Sequence, residues 1–81
     1  MDQKEWKAVA RHNGFDELMV VSVDGGWRLA GSFQKGSPVL LPTKRGQPRL
    51  FASLDTIARF LNSLSVGNLK VYQLLEDDLF A

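Results

Sequence analysis

The sequence contains no cysteine and only one histidine, His12. The lack of cysteine excludes a disulfide scaffold, a thiol nucleophile and the zinc sites that use cysteine ligands. A single histidine cannot build a metal site by itself. No serine and no pair of acids has the spacing of a known catalytic motif. We therefore predict a protein that is not an enzyme and that needs no metal and no cofactor.

Long apolar runs are also missing from the chain. No stretch approaches the length of a membrane-spanning helix, and the N-terminus lacks the apolar region of a signal peptide. We expect a cytoplasmic protein without a membrane partner. Hydrophobic residues make up 44% of the 81 residues, an ordinary share for a globular protein. Residues 1–81 are therefore expected to form a single domain.

Acidic residues are absent from the centre of the chain. Every charged residue between Gly25 and Leu54 is basic, and all nine acids lie outside this segment. The net charge of the whole chain is only +1, so the asymmetry is local. Such a segment favours contact with an anionic partner, although cations at turns also serve solubility. The predicted contact residues are Arg28, Lys35, Lys44, Arg45 and Arg49.

The clearest local pattern predicts a helix over residues 53–65. Ser53 is a good N-cap, and Asp55 falls in the first turn, where a negative charge complements the helix dipole. Gly67 is suited to the left-handed residue that follows a helix. Apolar residues recur at helical spacing, namely at Leu54, Ile57, Ala58, Leu61 and Leu64. We expect this helix to be the packing centre of the fold.

The remaining chain is rich in strand signals. Asp24-Gly25 lies between two β-prone runs, 18–23 and 27–33, which predicts a hairpin with a type I′ turn. Alternation along the second strand predicts that Trp27 points into the core and Arg28 to the other face. A second hairpin is predicted from the short strands 39–41 and 49–51, and a last strand from Leu69, Val71 and Tyr72.

Residues 2–12 allow two interpretations, a short helix capped by Asp2 or a strand. Their content of lysine, glutamate and alanine favours the helix. The predicted fold is a small two-layer α+β domain in the order (α)ββββαβ. It contains an antiparallel sheet of two hairpins plus a C-terminal strand, packed on one main helix.

The C-terminal segment 74–81 reads LLEDDLFA and also has two interpretations. In the first, it is a frayed terminus that folds back on the core. In the second, it is a docking tail, in which Leu79 and Phe80 enter a pocket of a partner while the acids steer the approach.

Two motifs carry a resemblance to a known family. The first is G-W-x-L, at Gly26, Trp27 and Leu29, and the second is R-G-x-P-R-x-F-x-S-L-D-x-x-x-R-F-L, from Arg45 to Leu61. Together they resemble the small ParC-like, or partition-associated, proteins of bacterial plasmids and integrative elements. The resemblance implies an origin in a mobile element and an accessory role in DNA maintenance, without an active site.

These observations favour a binding protein. We predict a small non-enzymatic accessory protein of a mobile genetic element that acts by protein–protein interaction, as an inhibitor or as a partition or replication accessory. The alternative is a weak DNA-associated partition module, in which the basic turn 44–49 contacts phosphates. A homodimer formed through exposed edge strands is a further alternative.

Overall fold

The predicted α+β class is confirmed. The structure, a computed structural model, describes residues 1–33, 36–66 and 70–75, the last range by its backbone. Its elements are α1 (Gln3–Arg11), β1 (Glu17–Val23), β2 (Gly26–Ser32), β3 (Val39–Leu40), α2 (Leu54–Ser63) and β4 (Lys70–Leu75). The predicted order has one strand too many. Residues 49–51 form no strand, because they pair with β2 only through an isolated bridge between Trp27 and Phe51.

The four strands of the described chain lie in the order β3-β2-β1-β4. The pairs β1–β2 and β2–β3 are antiparallel, as predicted. Strand β4 pairs in parallel with β1, so that Val20 lies opposite both Leu29 and Gln73. The prediction of a purely antiparallel sheet is therefore wrong. A parallel pair requires a long crossover connection, and α2 lies within that connection.

The hairpin between β1 and β2 is confirmed, but its turn type is not. Val23 pairs with Gly26, which leaves Asp24 and Gly25 as the connection. A type I′ turn needs positive φ at both of these residues. Gly25 has φ of +87°, whereas Asp24 has no positive φ. The positive angles fall on Gly25 and Gly26, because glycine adopts them without the steric cost of a Cβ atom.

Both helices pack on the same face of the sheet. The buried apolar cluster contains Trp6, Ala10, Phe15, Leu18, Val20, Leu29, Leu41, Phe51, Ile57 and Leu64. The prediction of one main helix is therefore wrong, since α1 supplies core residues as well as α2. The indole Nε1 of Trp6 also donates a hydrogen bond of 2.8 Å to the carbonyl oxygen of Val39, which ties α1 to β3.

Strand β1 is buried on both of its faces. Leu18 and Val20 are buried and face the helices, and Val21 on the opposite face is buried as well. This explains the continuous apolar run of β1, which is typical of a central strand. On β2 the alternation is as predicted. Trp27 lies on the helix-facing side and is half-buried against the core, and Arg28 lies on the other side.

Each helix begins with a reciprocal capping box, in which the cap and the third helical residue satisfy each other's backbone N–H groups. Ser53 is the N-cap of α2, as predicted, and pairs with Thr56. Asp2 caps α1 and pairs with Glu5, which confirms the helical interpretation of this segment. No helix in the described ranges has the length and apolar character needed to cross a bilayer.

Helix α2 ends two residues earlier than predicted. The left-handed residue after it is Ser65, with φ of +57°. The N–H of Val66 donates to the carbonyl of Leu61 at 3.2 Å, and the N–H of Ser65 donates to that of Asn62 at 3.0 Å. This is the Schellman arrangement. Gly67, the predicted terminator, lies outside the described residues.

Candidate binding surface

Residues 42–48 form a closed turn, which we call the basic loop. The N–H of Gly46 donates to the carbonyl oxygen of Thr43 at 2.9 Å, and the N–H of Thr43 donates to that of Gln47 at 2.6 Å. Pro42 and Pro48 form a bridge at the base of the loop. Two prolines and two internal hydrogen bonds reduce the number of conformations open to the loop backbone.

The tip of the basic loop projects into solvent. Lys44 and Arg45 are exposed there, as is Gly46. Gly46 has φ of +89°, and a Cβ atom placed on it would meet no other atom within 4 Å. The tip therefore presents two adjacent cations to solvent.

Arg49 follows the basic loop but is held against the core. Its guanidinium carbon lies 4.7 Å from the ring centroid of Phe51 and 5.0 Å from that of Phe60. Its backbone N–H donates to the carbonyl of Leu41 at 2.9 Å. The faces of aromatic rings attract cations. Arg49 thus anchors the end of the loop on the core and leaves Lys44 and Arg45 to make outer contacts.

Helix α1 adds two lysines that the sequence analysis missed. Lys7 places its Nζ 5.8 Å from the ring centroid of Phe60, the ring that Arg49 also contacts. Lys4 and Lys44, together with Asp2 and Gln3, line an open depression between α1 and the basic loop. Lys4 and Lys7 are three residues apart and so share one side of the helix.

We call this set of five cations the basic surface. It consists of Lys4, Lys7, Lys44, Arg45 and Arg49. The spacing of the two lysines on α1 was visible in the sequence. Nothing in the sequence indicated that this side of the helix lies beside the basic loop.

Of the residues predicted for the same contact, Arg28 lies elsewhere and Lys35 lies outside the described residues. Arg28 is on the face of the sheet that points away from the helices, so it does not belong to the basic surface. Lys35 lies outside the described residues, and so do Leu79 and Phe80 of the predicted docking tail. Arg28 therefore does not lie with Lys44, Arg45 and Arg49, and its contact with an anionic partner stays a prediction.

One carboxylate stands at the edge of the basic surface. Oδ1 of Asp2 accepts a hydrogen bond of 2.8 Å from the backbone N–H of Glu5. This bond holds the pKa of Asp2 below its ordinary value, because it stabilises the charged form. Asp2 is thus engaged in capping α1 and bears a negative charge at neutral pH.

The described part of the chain offers binding chemistry more clearly than catalytic chemistry. No group of three histidine, cysteine, aspartate or glutamate side chains among those residues could hold a metal ion. His12 is exposed at the C-terminal cap of α1. The ammonium and guanidinium groups of the basic surface can donate hydrogen bonds to carboxylates or phosphates.

Comparisons of the chain with protein-family models, with curated proteins and with solved structures find no match. The resemblance to partition-associated proteins, and the role that it implies, therefore stay predictions.

Proposed function

We propose that the protein is a small, non-enzymatic accessory protein of a mobile genetic element that acts by binding another protein. In this proposal it serves as an inhibitor or as a partition or replication accessory. The supporting observation is the basic surface, to which α1, the basic loop and Arg49 each contribute cations. Cations from separate segments on one surface favour a partner with a complementary acidic surface.

The character of the basic surface favours a protein partner over duplex DNA. Arg49 lies among aromatic rings, and arginine and aromatic residues are enriched in protein interfaces. Five cations are few for DNA binding, which depends on many phosphate contacts. On α2, the outward-facing Arg59 pairs with Asp55 at 2.9 Å, which makes this helix a poor candidate for reading bases.

A weak DNA-associated partition module is the second candidate. The exposed position of Lys44 and Arg45 at the loop tip supports it, because projecting cations of this kind also contact phosphates. Binding to DNA would weaken steeply as salt concentration rises.

The test uses the intact protein as bait in nuclease-treated bacterial lysate, followed by purification of the captured protein. The dissociation constant is then measured for wild type and for the Lys44→Gln/Arg45→Gln variant. The matched control is Arg11→Gln/Arg59→Gln, which also removes two exposed cations but leaves the basic surface intact. We expect the first variant to bind about twofold to thirtyfold more weakly, since each of the two exposed ion pairs contributes about 0.2–1 kcal/mol.

Two results would count against the proposal. The first is equal weakening by both variants, which would reflect net charge alone. The second is salt-sensitive binding of short duplex DNA in the absence of any stoichiometric protein complex. That second result would favour the DNA-associated module.

A further inference from the structure

The basic loop is held by contacts within the chain, namely its two backbone hydrogen bonds and the Pro42–Pro48 bridge. Arg49 fixes the end of the loop by stacking on two rings of the core. A preformed loop binds without the entropy cost of ordering a flexible segment.

We propose that the basic loop binds as this preformed element, and that an acidic segment of a protein partner lies in the depression between the loop and α1. This inference rests on the proposed function and assigns the partner's chemistry. Lys4 and Lys44 both line the depression, and in this proposal one carboxylate of the segment lies between them. Gln3 lies there as well and supplies an amide donor.

The charge of the depression fits a carboxylate better than a more densely charged ligand. Asp2 shares the lining, and its negative charge opposes part of the field of the two lysines. Oδ1 of Asp2 is occupied by the N–H of Glu5, so this carboxylate is held at the first turn of α1. A carboxylate, with a single charge, meets less repulsion from Asp2 than a phosphate monoester with nearly two charges would.

Substitutions at Gly46 test the effect of loop conformation on binding without changing any charge. Its φ of +89° is one that residues with a Cβ atom rarely adopt, yet the space around it is open. Replacing Gly46 with alanine therefore strains the loop backbone without a clash and without changing any charge. Asparagine tolerates positive φ much better than alanine does, so Gly46→Asn is the matched control.

The experiment measures the affinity of a fluorescent oligoglutamate peptide for the full chain at low ionic strength, by fluorescence anisotropy. We expect Gly46→Ala to weaken binding about fivefold to thirtyfold, given the usual cost of the left-handed conformation. Gly46→Asn should stay within about twofold of wild type. Thermal melts of each variant verify that the domain is folded.

The shared carboxylate is tested by a double-mutant cycle with Lys4→Gln and Lys44→Gln. We expect the fold loss of peptide affinity in the double variant to differ from the product of the fold losses in the two single variants, because both lysines contact one group. Independent effects of the two substitutions would overturn the placement of the carboxylate in the depression.

The outcomes distinguish this inference from the proposed function. If Gly46→Ala binds like wild type while Lys44→Gln/Arg45→Gln binds weakly, binding does not depend on the positive φ of Gly46. The loop conformation is then overturned as a part of this inference, and the proposed function stands. If neutralising Lys44 and Arg45 has no effect on peptide or partner, both fail. Failure of wild type to bind oligoglutamate, with binding of duplex DNA instead, would overturn the acidic protein segment as the ligand.

Discussion

The two helices have similar lengths and similar caps but contribute differently to the core. Helix α1 places Trp6 and Ala10 in the core with no exposed surface. In α2 only Ile57 is buried, while Phe60 is half-buried and Leu54 is 43% exposed. The helix with the more regular apolar pattern is therefore the less deeply buried one.

This difference shows that periodicity indicates which side of a helix faces inward and not how far it is buried. The ring of Trp6 lies 5.0 Å from that of Phe15 and 6.4 Å from that of Phe60, between centroids. Its Nε1 also reaches the carbonyl of Val39 at the edge of the sheet. One large side chain thus joins α1 to the sheet and to α2. The apolar side of α2, in contrast, is only partly buried.

The largest expected effect comes from truncating Trp6. We expect Trp6→Ala to lower the free energy of unfolding by about 3–5 kcal/mol, because a large cavity forms and the carbonyl of Val39 loses its donor. Leu61→Ala, on half-buried Leu61 of α2, should cost less than the roughly 2–5 kcal/mol of a fully buried leucine. Urea denaturation measures both values. An equal loss of unfolding free energy in Leu61→Ala and Trp6→Ala would contradict the conclusion that α1 contributes more to the core than α2.

A smaller effect is expected where the helices end. Asn13 and Ser65, the left-handed residues after α1 and α2, have φ of +56° and +57°. Glycine adopts this angle without a Cβ penalty, and asparagine adopts it more readily than serine does. We expect Ser65→Gly to raise the free energy of unfolding by up to about 1 kcal/mol and Asn13→Gly to raise it by less. Thermal and urea midpoints of both variants measure this order, and a larger gain at Asn13 would contradict it.

The smallest expected effect concerns the helix starts and depends on pH. Folding lowers the pKa of Asp2, mainly through the hydrogen bond from the N–H of Glu5. Its contribution to stability is therefore present above the pKa of the unfolded chain and is lost as the pH falls through the lower pKa of the folded state. The cap of α2, Ser53, carries no carboxylate and makes no such contribution.

The Asp2→Asn variant isolates this contribution, because asparagine is also a good N-cap but does not titrate. We expect wild type to lose stability relative to Asp2→Asn as the pH falls from neutral through the lowered pKa of Asp2 in the folded state. Urea midpoints across this range measure the difference. A constant difference across the range would show that the Asp2 bond has no effect on folding.

Local signals in the sequence predicted much of the fold. The cap at Ser53, the helix that follows it and the hairpin at Asp24-Gly25 are all present. Each depends on residues within a few positions of one another. The strand predicted at residues 49–51 was wrong. Its side chains are β-prone, but the segment pairs with Trp27 at one bridge only.

The basic surface was predicted in part. The absence of acids from the central segment drew attention to Lys44, Arg45 and Arg49, whose contact with a partner stays a prediction. Arg28 was assigned to the same contact although its alternation with Trp27 already indicated the other face of the sheet. Lys4 could not be assigned from sequence, because its proximity to Lys44 arises only when α1 packs beside the basic loop.

The sequence alone determined where the helices begin, where the first hairpin turns and which segment lacks acids. These features depend on caps, glycines and charges that act over a few residues. Tertiary structure alone decided that β4 pairs in parallel with β1, that Trp6 is the deepest link between the layers and that Arg49 stacks on Phe51 and Phe60. Each of these contacts joins distant parts of the chain, and short-range patterns do not identify the partner of a residue that meets it only after folding.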